Sequence, residues 1–244
     1  MSVRGDELNS LYVEPERHER EIAWPALEFV DVFKIFRSGP VETVALRGLR
    51  LRVEHGELVA VLGPSGCGKT TMLSLAAALD QPSAGEVRVG EHPLGRLDEE
   101  ALADFRAREV AIVFQRDNLW PWLTARENIA VSLQLAGNGA ARAVADEMLR
   151  EFGLGGRAGQ RVGSLSGGEQ QRVAIAAAAA RRARLVLADE PTGELDAANE
   201  RHVLDALRNL RTCFGSTLAV VTHSAAVARA ADRVIEMRDG VALA

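Results

Sequence analysis

The chain has 244 residues, 47% of them hydrophobic, and 29 Lys and Arg against 34 Asp and Glu give a formal net charge of −5. That is apolar material enough for a sizeable core in one large domain or two subdomains, and the acidic balance argues against nucleic acid as a partner, because phosphate neutralisation needs a basic face. Cys67 and Cys213 supply neither a disulfide framework nor a metal site, the polar start lacks the apolar centre of a signal peptide, and no stretch reaches the roughly 18 apolar residues of a membrane span.

Residues 1–24 are charge-rich, with Glu14-Pro15-Glu16-Arg17-His18-Glu19-Arg20-Glu21, and read as a solvated arm open to use as a tail, a partner contact or a regulator. Residues 25–244 carry the folded unit. Leu27 to Phe33, Leu49 to Val53 and Glu86 to Val89 have strand character and predict a small antiparallel sheet. Leu58-Val59-Ala60-Val61-Leu62 predicts a buried parallel strand, and Lys69 to Leu79 a helix.

Between that strand and helix lies Gly63-Pro64-Ser65-Gly66-Cys67-Gly68-Lys69-Thr70. Its glycines let successive N–H groups turn inward with no side chain between loop and phosphate, and a helix N-terminus favours anions. The loop predicts ATP or GTP binding, with Lys69 reaching the β- and γ-phosphates and the Thr70 hydroxyl on Mg²⁺. Cys67, at a helix N-terminus beside Lys69, is expected to be a reactive thiol that bound nucleotide protects; the other reading is a small side chain filling a slot.

Asp98 to Arg108 reads as an amphipathic helix and Val110 to Phe114 as a strand. Thr124-Ala125-Arg126-Glu127 is a capping box opening a helix to about Ala136, Gly137-Asn138-Gly139 turns the chain, and Ala140 to Phe152 is a further helix. Residues 116–163 are therefore expected as a helical insertion. Leu185-Val186-Leu187-Ala188-Asp189-Glu190 is a strand ending in two carboxylates. Asp189 is expected in the Mg²⁺ shell, and Glu190 is placed to orient and deprotonate the attacking water. In Leu165-Ser166-Gly167-Gly168-Glu169-Gln170-Gln171-Arg172, Ser166 and Glu169 again have capping-box spacing. The two glycines expose N–H groups at the mouth of a helix to about Arg182, a second anion site.

On that last peptide, and from Leu27 onward in order, the chain resembles the ATP-binding cassette (ABC) ATPases. The resemblance implies an α/β fold: a P-loop NTPase with a RecA-like parallel-sheet core, a small antiparallel β subdomain and a helical family-specific subdomain. It implies ATP and Mg²⁺ as cofactors, with nucleotide contacts from Gly63, Pro64, Ser65, Gly66, Cys67, Gly68, Lys69, Thr70 and Thr71. Gln115 matches the family's Q-loop glutamine, which contacts Mg²⁺ and the attacking water, and so joins Thr70 and Asp189 at the metal. Asp196, in Gly193-Glu194-Leu195-Asp196, matches the D-loop aspartate. His223, following Leu218-Ala219-Val220-Val221-Thr222, matches the switch histidine that acts with Glu190 at the γ-phosphate. Phe36 resembles the aromatic that stacks on adenine; Phe33 competes for that role, and a core position is the other reading of Phe36.

The resemblance also implies a head-to-tail dimer, in which Lys69 of one copy and Ser166, Gly167, Gly168 and Glu169 of a second copy grip one γ-phosphate. ABC ATPases of DNA or ribosomes usually carry long coiled-coil insertions or two cassettes, whereas one cassette with a short insertion looks like a transporter subunit. Such a subunit would work at the cytoplasmic face of the membrane, without nucleic acid, with a separate permease-type subunit docked in a groove beside the Q-loop. Trp120-Pro121-Trp122 is expected to line that groove or to pack inside the helical insertion. Asn118-Leu119, Leu123-Thr124-Ala125-Arg126-Glu127-Asn128 and Ala188-Asp189-Glu190-Pro191-Thr192-Gly193 resemble the macrolide-efflux and lipoprotein-release group, which includes the cell-division ATPase that regulates wall hydrolases. Two departures stand out: Ala177 where arginine is common, and Glu194 where asparagine is frequent. A P-loop nucleotide kinase remains the alternative, although it has no use for residues 166–169.

Overall fold

The computed structural model describes residues 24–243 apart from 40 and 138–140. The expected arm before Trp24 and the Asn138-Gly139 part of the expected turn thus lie outside the described residues. The first half runs β1 (Leu27–Ser38), β2 (Val41–Val53), β3 (Leu58–Leu62), α1 (Lys69–Ala76), β4 (Ala84–Val89), β5 (His92–Pro93), α2 (Glu99–Arg108) and β6 (Val110–Val113). The second runs α3 (Ala125–Leu135), α4 (Ala141–Glu151), α5 (Gly167–Ala180), β7 (Leu185–Asp189), α6 (Ala197–Phe214), β8 (Thr217–Val221), α7 (Ala225–Ala230), β9 (Arg233–Arg238) and β10 (Val241–Leu243).

Two sheets organise these elements. A six-stranded sheet has the order β10-β9-β3-β8-β7-β6, with parallel pairing throughout except at the β10–β9 edge. A four-stranded antiparallel sheet, β2-β1-β4-β5, sits beside it. The fold is the P-loop NTPase arrangement of a parallel core with a small antiparallel sheet. β1 and β2 run well past the expected Phe33 and start before the expected Leu49. They form one long hairpin, paired from Leu27 with Val53 to Ser38 with Val41. Their outer halves are mostly exposed, apolar Phe33, Phe36 and Val41 included, so no buried face marks them as strands.

The central strands are buried on both faces, as parallel strands must be. Along β7, Leu185 and Leu187 pack with α1 and the small sheet, while Val186 and Ala188 pack with α3, α5 and α6. Each such fully buried aliphatic side chain contributes about 1.5–3 kcal/mol by leaving water. The face carrying Val186 continues into Ile129, Met148 and Leu149, so α3 and α4, which lie within residues 116–163, share one apolar core with α5. Helix α1 stops short of the expected Leu79. Ala78 takes a left-handed conformation (φ 53°), and Leu79 N–H turns back to the Ser74 carbonyl at 2.9 Å, closing the helix.

Candidate active site

The parallel strands deliver their C-terminal ends to one edge, where an open α/β sheet places its ligand site. β3 runs directly into the loop from Gly63 to Thr70. Gly63 (φ 157°) and Gly68 (φ 103°) are required there by close approach. A Cβ on Gly63 would stand 2.2 Å from the Met237 carbonyl oxygen, and one on Gly68 would stand 2.6 Å from that of Ala45. The Gly66 and Gly68 amides have no partner among the described residues, whereas Cys67 N–H closes a turn on the Pro64 carbonyl at 3.3 Å. Lys69 is 7% exposed, and its Nζ donates to the carbonyls of Gly63 at 2.6 Å and Pro64 at 3.0 Å. An ammonium held inside a ring of turned backbone is a cradle for phosphate oxygens.

Cys67 is not the accessible thiol expected. It is 4% exposed, lies 2.8 Å from where a Gly63 Cβ would be, and has its Sγ 3.8 Å from Lys69 Nζ. The structure supports the slot-filling reading, since an alkylating reagent has no access to a buried sulfur.

Next to this cradle, Thr70 Oγ1 donates to Asp189 Oδ2 at 3.0 Å across the β3 and β7 ends. A hydroxyl and a carboxylate converging beside a phosphate cradle form the all-oxygen donor set that suits Mg²⁺. One residue on, Glu190 leaves the strand in a left-handed conformation (φ 47°). Such strain in a non-glycine residue is held by its surroundings: Glu190 N–H donates to the Val221 carbonyl at 2.9 Å, and His223 N–H donates to Glu190 Oε2 at 3.1 Å. Oε1 is buried and lacks a hydrogen bond among the described residues. His223 Nε2 stands 3.3 Å from it without hydrogen-bond alignment. A buried carboxylate oxygen free to accept a proton is what a general base requires. His223 therefore sits against Glu190.

Gln115 lies just beyond β6, since the strand ends at Val113 rather than the expected Phe114. It lines a cleft of about 330 Å³ together with Glu190, Gly193 and Glu194, its Nε2 3.1 Å from where a Gly193 Cβ would be. Asp196 is the N-cap of α6. Its Oδ1 accepts from Ala198 and Asn199 N–H at 2.9 Å each, and the Asn199 hydrogen bonds hold the carboxyl below the usual range.

The Ser166 to Glu169 box forms as expected. Ser166 Oγ accepts from Glu169 N–H at 3.3 Å and donates to Glu169 Oε2 at 3.0 Å, while Ser166 N–H donates to the same oxygen at 2.9 Å. These bonds, with Arg157 at 2.7 Å, hold the Glu169 carboxyl below its ordinary value, the Ser166 N–H being the largest cause. Ser166 and Gly167 face solvent, while Gly168 is buried with no room for a Cβ against Asn199.

Both aromatic candidates are exposed on β1, Phe33 at 40% and Phe36 at 44%; Lys34 Nζ lies 5.0 Å from the Phe36 ring centre, and the Phe33 ring lies over Gly48, 3.2 Å from where a Cβ would stand. Trp120 lines a groove of about 500 Å³ with Arg106, Leu135, Ala177 and Arg181. Trp122 is 66% exposed and outside that groove, so the two tryptophans neither pack inside the insertion nor act as a pair.

Three polar residues that tie the site together, Gln171, Asn118 and Asn128, have no role of their own in the sequence expectations. Gln171, 5% exposed on α5, donates through Nε2 to the carbonyls of Phe114 at 2.8 Å and Pro191 at 3.3 Å, and its Oε1 accepts from Asn118 at 2.8 Å. Asn128 similarly clamps the backbone N–H and carbonyl of Trp120. For Gln171 and Asn128 the available signal is an amide on the buried face of a helix; Asn118 lies in a loop and carries no such signal.

Comparison with known proteins agrees with this geometry. The ABC transporter family model matches residues 46–193. The lipoprotein-releasing system ATP-binding protein LolD of Anaeromyxobacter dehalogenans is 43% identical over 222 residues, covering 90% of this chain and 93% of that protein. The macrolide export ATP-binding/permease protein MacB of Rhodopirellula baltica is 42% identical over 212 residues, covering 85% of this chain but only 31% of MacB. Among solved structures, the ATP-binding cassette MJ0796, a dimer in a post-hydrolysis state bound to ADP and Pi, superposes with a TM-score of 0.82 at 37% identity, covering 89% of this chain and 97% of that one. With phosphate cradle, carboxylate pair and capped glycine mouth all in place, this chain belongs to the ABC transporter family as an ATP-binding, ATP-hydrolysing cassette.

Proposed function

We propose that this cassette drives a separate permease-type membrane subunit from the cytoplasmic face, in lipoprotein release, export or force transmission across the membrane. The observation that carries the reading is the presence in one chain of a phosphate cradle and an outward-facing second anion mouth at Ser166 and Gly167. A nucleotide kinase has no use for such a mouth. In a head-to-tail dimer, the mouth of a second copy completes the phosphate site of the first, so ATP favours closure and hydrolysis releases it. The likeness to LolD, an ATP-binding protein of a lipoprotein-releasing system, and to MacB, a macrolide export ATP-binding/permease protein, supports a membrane partner.

In the closed site, Thr70, Asp189 and Gln115 would hold Mg²⁺, which neutralises phosphate charge when bound. Lys69 and the Gly63 to Thr71 amides bind the phosphates, with Ser166, Gly167, Gly168 and Glu169 of the second copy facing them. Phe36 stacks on adenine, since the equally exposed Phe33 ring is already laid over Gly48. Glu190 takes the proton of the attacking water at Oε1, oriented by His223 and Gln115, and Asp196 fixes the turn between the two sites. The groove at Trp120 receives a helix of the permease, and no helix of the described chain is itself long and apolar enough to cross a membrane.

Glu190→Gln tests the chemistry, and the expected result is retained ATP binding with turnover reduced at least about 100-fold. Hydrolysis at the normal rate refutes the base assignment. Co-expression with its permease-type subunit should carry the chain into the membrane fraction; a chain that stays in the supernatant refutes the proposed partner.

A further inference from the structure

Glu194, the D-loop residue that departs from the family pattern, is paired. Its Oε2 accepts from Arg116 Nε at 2.6 Å and lies 2.5 Å from Nη2. Arg116 makes no other ion pair among the described residues. The two side chains stand on opposite lips of the 330 Å³ cleft that Gln115 and Glu190 also line.

Both lips are preformed turns. On the first, Asn118 closes a loop by accepting from Phe114 N–H and donating to the Phe114 carbonyl, each at 2.7 Å, with Asp117 left-handed at φ 59°. This leaves Gln115 and Arg116 together at the loop tip. On the second, Gly193 N–H donates to the Glu190 carbonyl at 3.1 Å and Leu195 N–H to the Thr192 carbonyl at 3.2 Å. Gln171 pins the base of both lips through the carbonyls of Phe114 and Pro191. What the backbone leaves free is the approach of one tip to the other, and the Arg116–Glu194 pair spans that gap.

We propose that Arg116 and Glu194 form a positioning strap for ATP hydrolysis, holding the tip that carries Gln115 against the turn that follows Glu190. The strap also neutralises a carboxylate at the mouth of a cleft that must admit a phosphate-bound water. This rests on the reading of Gln115 and Glu190 as the groups that handle the water. Neither Arg116 nor Glu194 touches the reacting atoms, so breaking the pair loosens Gln115 and slows the chemical step while nucleotide binding at the Gly63 to Thr70 cradle is untouched. Both side chains are largely exposed, so the pair is a modest interaction and its removal slows turnover by a small factor rather than abolishing it.

The test is steady-state ATP hydrolysis by the full chain carrying Glu194→Gln, Arg116→Gln, or the swap of Arg116→Glu with Glu194→Arg. Each single substitution should lower kcat about three- to five-fold, with KM for ATP changed less than about two-fold, and the swap should recover at least half of the loss. Recovery by the swap also answers a single variant that folds poorly. Unchanged kcat in the single variants, a KM that rises in step with the fall in kcat, or a swap no better than the single changes overturns the proposal. Glu190→Gln separates the two levels: normal hydrolysis in that variant sinks the underlying reading, whereas an inactive Glu190→Gln beside unaffected strap variants sinks the strap alone.

Discussion

Gln171→Ala should weaken the fold and the site together, because one buried amide joins three separated segments. The substitution removes the donor to the Pro191 carbonyl and the acceptor for Asn118 Nδ2, while the Phe114 carbonyl keeps its bond from Asn118. Two groups are left short of a partner where water has little access. At about 1–3 kcal/mol for an unsatisfied buried group, after partial relaxation and with a small void added, the cost is about 2–4 kcal/mol. For a domain of this size each kcal/mol lowers the melting midpoint by about 2–4 °C, so a drop of roughly 4–16 °C is expected in a circular-dichroism melt. Gln171→Glu keeps the acceptor for Asn118 but turns a carboxylate toward carbonyl oxygens, and should cost at least as much. A midpoint within about 2 °C of the parent for Gln171→Ala, with ATP turnover intact, would refute the claim that this amide sets the relation between α5, the Gln115 loop and the β7 end.

Acid should loosen the helix starts. The carboxyls of Glu127, Glu169 and Asp196 are held below the usual range chiefly by backbone N–H groups of Thr124, Ser166 and Asn199 respectively. A lowered folded value contributes stability that is present above the ordinary carboxylate pKa and lost as pH falls through the folded one. Melting midpoints should therefore hold from pH 8 to about 5 and decline below about pH 4, less steeply with Glu127→Gln and Glu169→Gln combined; an unchanged decline in that variant counts against the caps. Cys67 should resist maleimide in the folded chain without nucleotide and react after unfolding in guanidinium, while Cys213 reacts in both states. Rapid labelling of Cys67 in the native chain would show the loop opens further than its burial indicates. Trp120→Ala should weaken association with the permease at least about ten-fold while Trp122→Ala changes it little; equal effects in a co-purification assay would contradict the groove geometry.

Features confined to a few consecutive residues were legible in the sequence. The phosphate loop, the two capping boxes and the acidic end of β7 each need only four to eight neighbours in order, and each forms at the expected position. Helix α6 carries its own signal beyond the D-loop, an Asp196 cap followed by Val203, Leu204, Leu207 and Leu210 at helical spacing. The outer halves of β1 and β2 were not legible, since pairing with each other rather than burial holds them extended. Contacts between distant segments were equally hidden: nothing near Gln171 announces that it meets Phe114 and Pro191, and nothing near Glu194 announces Arg116. Cys67 failed for a related reason, as a helix N-terminus predicts charge at the sulfur but not the Gly63 and Lys69 atoms that cover it.

The central claim is that the mouth at Ser166 completes the phosphate site of another copy. Ser166→Asp tests it cleanly, because Asp caps a helix about as well as Ser but sets a carboxylate where the γ-phosphate would lie. In a Glu190→Gln background, sedimentation with ATP should show the 26.2 kDa chain shifting to twice that mass, and adding Ser166→Asp should leave it monomeric with ATP still bound at its own loop. A dimer that forms equally well with Ser166→Asp, or a chain that stays monomeric with ATP in the Glu190→Gln background alone, would contradict the account.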